Sequence, residues 1–400
     1  MTANQRSMVG RLQHKFIIRA ASLLVIVILA SGCQTGWEPG GITPLENPTT
    51  TPTSGTRSRP QIVVPERLQA ANENNIQFEN YSLEEDLSQS VVTSIIQDQY
   101  GFMWFGTQDG LNRYDGNHFR VFKHDPDDPE SLSDSFVFVM LEDQTGTIWI
   151  GTNNGGLNSY DPRTENFTSY RPDPDIPGSL LGVTVNAIYE DNDGVLWVGT
   201  SSGLNRFDRD SGEFTHYIND PEKPDSIASN VVNDIVQDEK GRYWIATTNG
   251  VDLFNAKYGH FTHHQNDPFA PASLSHNQVN DLFVDKQGVL WVATLGGLNR
   301  YLPETRNFTR YQNDPEDPDS LSFNDVFDLY EDQQGLFWVA TNGGGLDRFD
   351  RINERFIRFQ NDPGDPNSIS SDQVWSIAED AAGVLWFGTF GSGVEKFDPL

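Results

Sequence analysis

Cysteine is nearly absent: Cys33 stands alone among 400 residues, which excludes any disulfide within the chain. Cationic side chains are scarce too, with 27 Lys and Arg against 57 Asp and Glu and a formal net charge of -30. Such a surface keeps a protein soluble and argues against nucleic acid or an anionic lipid surface as partner. Long apolar runs are lacking, since the stretch from Ala20 to Ala30 falls short of the ~20 residues needed to span a bilayer. The eight histidines, at 14, 118, 124, 216, 260, 263, 264 and 276, fall mostly on or beside segments expected to be outer strands. His276 alone could reach a central site, and it has no identifiable partner. The sequence therefore offers no catalytic constellation, no metal site and no cofactor motif.

Tryptophan, by contrast, is placed with regularity. Trp104, Trp149, Trp197, Trp244, Trp291, Trp338 and Trp386 recur at intervals of 45, 48, 47, 47, 47 and 48 residues. Each sits in one phrase: an acidic turn, a glycine, an apolar pair holding the Trp, then Gly-Thr or Ala-Thr. A period of about 40–50 residues built of short strands and turns indicates a propeller or solenoid.

Each repeat reads as four strands, A to D. In the sixth, A begins at Val326, a turn ending at Gly335 leads to B (336–341), and glycines 343–345 lead to C (346–350) and then D (356–359). Trp338 alternates with Ala340, and Trp197 with Gly199, so both fall on one face of strand B, where a large ring meets the next blade. The acidic turn at Asp191-Asn192-Asp193-Gly194 resembles the start of a calcium loop but lacks the remainder. An Asp capping its own backbone while Gly takes positive φ accounts for it.

The A-B-C phrase occurs seven times, the last copy ending at Asp398. The D phrase also occurs seven times, but its extra copy, Phe78-Glu79-Asn80-Tyr81, precedes the first A strand. Pairing this spare strand with the last blade closes a circle and removes exposed edges. The expected fold is all-β, a seven-bladed propeller of four-stranded blades over residues 76–400.

Residues 33–75 are rich in Thr, Pro, Ser and Gly and are expected to form a disordered tether. Residues 1–32 have the shape of a signal peptide, with Arg11, Lys15 and Arg19 before the apolar run and Ser31-Gly32-Cys33 after it. The small residues before Cys33 resemble the lipobox of bacterial lipoproteins, although Ala30 stands where that family prefers Leu. The resemblance implies acylation of Cys33 and a membrane anchor outside the cytoplasm, in the periplasm or at the cell surface. Gln34 favours the outer membrane by the same analogy, and an uncleaved signal anchor is the alternative.

Antiparallel order places the B–C turns and the long D–A connections on one face. Most D–A connections repeat Asn-Asp-Pro-x-x-Pro-x-Ser-Leu/Ile, which reads as a structural turn. Positions that vary between copies are better binding candidates. Just inside each A strand stand Thr93, Phe138, Asn186, Asn233, Asn280, Phe327 and Trp375, expected to ring the mouth of the central channel. Rings stack on sugar faces and amides bond hydroxyls, so the set suits a small ligand such as an oligosaccharide. The competing reading is a channel plugged by side chains. Asp109, Asn154, Asn249, Asn342 and Phe390 in the B–C turns are secondary candidates.

The phrase from Val185 to Thr200, followed by Gly203-Leu204-Asn205-Arg206-Phe207-Asp208, resembles the regulator-propeller repeats of bacterial two-component sensors. The resemblance spans about residues 76–400. It implies an extracytoplasmic ligand-sensing propeller with a membrane sensor kinase or another envelope protein as partner. No kinase follows the last C strand in this sequence, so no kinase activity of its own is expected. The alternatives are a protein-docking lipoprotein and an enzyme resembling the streptogramin lyases.

Overall fold

Seven four-stranded antiparallel sheets account for every strand in the computed structural model, which describes residues 77–397. The signal segment, the tether and Cys33 lie outside the described residues. Six sheets are consecutive A-B-C-D meanders, beginning with blade 1 at Val92–Gln97, Met103–Thr107, Gly110–Tyr114 and Phe119–Phe122. The seventh takes A, B and C from Val374–Glu379, Leu385–Thr389 and Val394–Phe397, and its outer strand from Phe78–Tyr81. Phe78 pairs with Phe397 and Tyr81 with Val394, so the chain closes as its strand count implies.

Each Trp sits on a B strand that is all buried, save Tyr243 in blade 4, and packs into the following blade. Trp104 joins Leu132, Val137, Ile148, Ile150, Tyr160 and Phe167 of blade 2. Trp386 joins Val92, Ile95 and Phe105 of blade 1, which carries the core around the full circle. Burying one such ring contributes roughly 4–6 kcal/mol before the entropic cost of ordering it. The small residue two positions later is required by close approach. A Cβ on Gly199 would lie 2.6 Å from Cγ1 of Val232, the first residue of the next inner strand.

The acidic turns do more than turn the chain. In blade 3, Asp191 Oδ1 accepts the N–H groups of Asp193 and Val195, while Gly194 takes φ +79°. Its Oδ2 accepts Trp197 Nε1 at 2.9 Å and the Tyr243 hydroxyl of blade 4 at 2.7 Å. These bonds occupy both carboxylate oxygens, consistent with a structural turn.

The six D–A connections after the first closed strand are each fourteen residues long and take an unexpected course. Their middle residues lie along the outer strand of the following blade rather than over the mouth. Glu130 O accepts Phe167 N, and Gly178, Asp225, Ala272, Asp319 and Asn367 do the same for Phe214, Phe261, Phe308, Phe356 and Phe78. Their last residues reach the B–C turns through backbone bonds, as where Ser135 O accepts Gly110 N and Phe136 O accepts Asn153 N. The repeated Asp-Pro turn is held locally: Asp220 N donates to Ser226 Oγ, and Glu222 N to Asp220 Oδ1.

Candidate functional site

All seven variable inner-strand residues occupy one structural position. The pairing of strands A and B slips between Val92 and Ser94, and at the equivalent place in every other blade. Thr93, Phe138, Asn186, Asn233, Asn280, Phe327 and Trp375 are thus the extra residue of a β-bulge. A bulge frees a residue from the ladder and re-aims its side chain, and bulges concentrate near functional sites.

Four of the seven serve the scaffold directly. Thr93 Oγ1 donates to Val137 O at 2.6 Å. Asn186, Asn233 and Asn280 each donate Nδ2 to the corresponding carbonyl of the next blade, at Val232, Val279 and Val326, over 2.7–3.0 Å. These side chains staple neighbouring blades at the mouth. Because a carbonyl can only accept, the amides are fixed with nitrogen toward the neighbour, and no described donor reaches their Oδ1 atoms.

The aromatic members gather unevenly. Phe327 and Trp375 of blades 6 and 7 stack at 5.1 Å and 16°. Phe390, in the B–C turn of blade 7, lies 4.8 Å from Trp375. Asn342 Oδ1 accepts from Gln373 Nε2 at 3.1 Å and faces Trp375 Nε1 at 3.4 Å, while its Nδ2 donates to Asp325 Oδ2 at 2.9 Å. Asp325 also accepts Asn280 Nδ2. Burial raises its pKa, and the two amides partly offset this. Four candidates, Phe327, Trp375, Asn342 and Phe390, thus form one cluster. Phe138 stands apart with Phe136, their rings 4.5 Å apart. Among the remaining turn candidates, Asp109 pairs with Lys123 at 2.8 Å and Asn249 donates to Ala228 O, while Asn154 is exposed.

Sequence reasoning missed Gln373 and Asp325. They immediately precede or neighbour strand A, where the copies also differ, so the variability that singled out the bulge residues extends one position further. It missed the next position inward as well, where Asp234, Asp281 and Asp328 stand on three successive blades. Each carboxylate accepts an N–H from the following inner strand: Leu282 at 3.0 Å, Leu329 at 3.1 Å and Ile377 at 2.6 Å. Burial raises all three pKa values, that of Asp234 to about 6 and that of Asp328 to about 7. Asp281 goes well above the carboxylate range, because the charges of Asp234 and Asp328 add to its desolvation. His276 is engaged in its own loop, where Nδ1 accepts Gln278 N.

Comparison with known proteins agrees with this architecture. Residues 86–109, 273–296, 320–343 and 368–391 match the two component regulator propeller family, so the chain carries that family's repeat on a seven-bladed ring. Residues 132–267 also match the SMP-30/gluconolactonase/LRE-like region. The extracellular domain of a hybrid two component system from B. thetaiotaomicron superposes with a TM-score of 0.71 at 26% identity, over 82% of this chain and 42% of that one. A histidine kinase P4 from Formosa agariphila is 42% identical over 64 residues, which is 16% of this chain and 5% of the kinase. The chain therefore spans less than half of either relative. An inactive virginiamycin B lyase variant from Staphylococcus aureus shares the fold at 13% identity, with a TM-score of 0.59 over 81% of this chain and 99% of that one. Among the described residues no helix is long and apolar enough to cross a membrane.

Proposed function

We propose that this propeller is the ligand-reading module of a two-component-type signalling system. It is held outside the cytoplasm by a lipidated Cys33 and takes a small ligand such as an oligosaccharide at its channel mouth. The observation that carries this reading is the aromatic cluster of Phe327, Trp375 and Phe390. Three large rings converge at bulge and turn positions where most other blades carry polar side chains. Stacked rings beside Asn342 and Gln373 suit a ligand that is apolar on one face and polar at its edge. The partner on this reading is a membrane sensor kinase or another envelope protein, and no reaction is catalysed.

The test is a thermal-shift screen of the full chain against neutral, amine-bearing and acidic oligosaccharides. A ligand at about 100 times its Kd adds about 2.7 kcal/mol to folding stability. A shift that is lost in Trp375→Ala and Phe327→Ala, with both variants folded, supports the mouth as the site. A shift that survives both substitutions moves the site elsewhere, and no shift with any sugar favours protein docking.

A further inference from the structure

The mouth has a definite hydrogen-bonding polarity, and this bears on the charge of whatever it takes. Along the arc of blades 3 to 5, Asn186, Asn233 and Asn280 have committed their Nδ2 groups to the next blade. What each still offers is its Oδ1 oxygen, with one amide N–H left over on Asn186 and on Asn233. Asn233 is only 8% exposed, and no described donor meets its Oδ1. Thr93 has likewise spent its only hydroxyl proton, on Val137 O and Gly106 O. Across the mouth the aromatic rings of blades 6 and 7 present π faces, which attract cations. Immediately inward stand Asp234, Asp281 and Asp328, which accept backbone N–H groups, with Asp234 and Asp281 also bonded to each other and no Lys or Arg among these partners. None of the seven bulge residues or five turn candidates is basic.

We infer that the mouth selects a ligand bearing a protonated amine on a partly apolar body, the chemistry of an amino sugar, and disfavours acidic glycans. The inference rests on the mouth being the ligand site, as proposed above. The ammonium group donates to the amide oxygens, the ring of the sugar lies against Phe327 or Phe390, and the chain's charge of -30 draws the cation in. A carboxylate or sulfate meets no cationic side chain among the bulge and turn residues, only amide N–H groups. Among the described residues no group of side chains is arranged to hold a metal ion that could reverse this polarity.

The experiment is calorimetric titration of the full chain with three trisaccharides of similar size: one of glucosamine, its N-acetylated counterpart and one of uronic acid. The expected result is that the amine-bearing sugar binds at least tenfold tighter than the acetylated one, with the uronate weakest. The preference should shrink as salt is raised and disappear in Trp375→Ala, which separates the mouth from general attraction to an acidic surface. Equal or tighter binding of the acetylated or acidic sugar, lost in Trp375→Ala, overturns the inference and leaves the mouth as the site. An amine preference that persists in Trp375→Ala also overturns it, and binding of none of the three counts against both readings.

Discussion

Trp104 Nε1 donates a 2.8 Å hydrogen bond to Asp98 Oδ2, six residues earlier in the same blade. The bond recurs in every blade, between 2.7 and 3.1 Å. It joins the turn that ends strand A to the ring that seals the next interface, so neither can shift alone. In blade 2 the same carboxylate is also reached from blade 3, where Arg209 Nη1 lies 2.8 Å from Asp143 Oδ2.

Replacing Asp143 with Asn keeps one oxygen for the turn but sets an amide where Trp149 and Arg209 need an acceptor. The expected cost is about 1–3 kcal/mol at neutral pH, read from urea unfolding. Burial would raise the Asp143 pKa, but bonds from Thr145, Trp149 and Arg209 outweigh it and hold the group at about 2. A depressed pKa means the contribution is present above about pH 4 and lost as pH falls through 2. The gap between variant and wild type should therefore close in strong acid. A difference below about 0.5 kcal/mol at pH 7 would show that the bond is incidental.

Asp347 should behave in the opposite sense. Four equivalent strand-C positions hold Asn, namely Asn112, Asn158, Asn205 and Asn299. Each accepts an N–H from the preceding loop and donates Nδ2 to a strand-B carbonyl. Asp347 accepts Ser322 N in the same way, but its buried Oδ1 faces that second place without a partner. Burial raises its pKa to about 7, and Arg358 only partly offsets this. A raised carboxyl costs stability as pH rises from about 4 through 7. Asp347→Asn is expected to stabilise the protein by about 1–3 kcal/mol at pH 8 and to make little difference at pH 4. Melting curves at the two pH values decide it, and a destabilised variant at pH 8 would refute the account.

The fold was legible because its determinants are local and repeated. Trp spacing, Gly-Thr pairs and the displaced copy Phe78–Tyr81 each bear on one blade, and seven copies remove ambiguity. The mouth was legible only in part. Variability pointed to Thr93, Asn186, Asn233 and Asn280, yet these hold neighbouring blades together, because a free amide beside an open carbonyl is used for packing whatever its neighbours are. Nothing in the residues from Asn219 to Ile227 announced that such a loop lies along the next outer strand. That depends on carbonyl positions which only the assembled ring defines.

Blade 1 is the exception to that covering. Its preceding connection, Ser82 to Val91, is four residues shorter than the rest and lacks the Asp-Pro turn. No described loop carbonyl accepts Phe119 N, and Val121 replaces the polar residues that bond the loop in blades 3 to 6, such as His216 and Arg310. Val121 is 38% exposed. The amide of Phe119 should exchange with deuterium at least tenfold faster than that of Phe261, whose N–H is bonded to Asp225 O. Equal protection would mean that some other segment covers this edge.

Ring closure rests on four residues, and this makes it testable at a single side chain. Phe78 lies 5.7 Å from the ring of Phe397, 6.0 Å from Phe387 and 6.5 Å from Phe359, so it touches both its own blade and blade 6. Phe78→Ala removes these contacts while keeping the strand, and is expected to cost about 2–4 kcal/mol. Removing residues 1–81 altogether leaves the strand Val394–Phe397 as a bare edge able to pair with another chain. That truncation should convert a concentration-independent melting transition into a concentration-dependent one, with larger species on size-exclusion chromatography. The substitution and the truncation separate side-chain packing from backbone pairing. If the truncated chain stays monomeric and melts with the full chain, the first strand decorates a ring that the inner strands already hold closed.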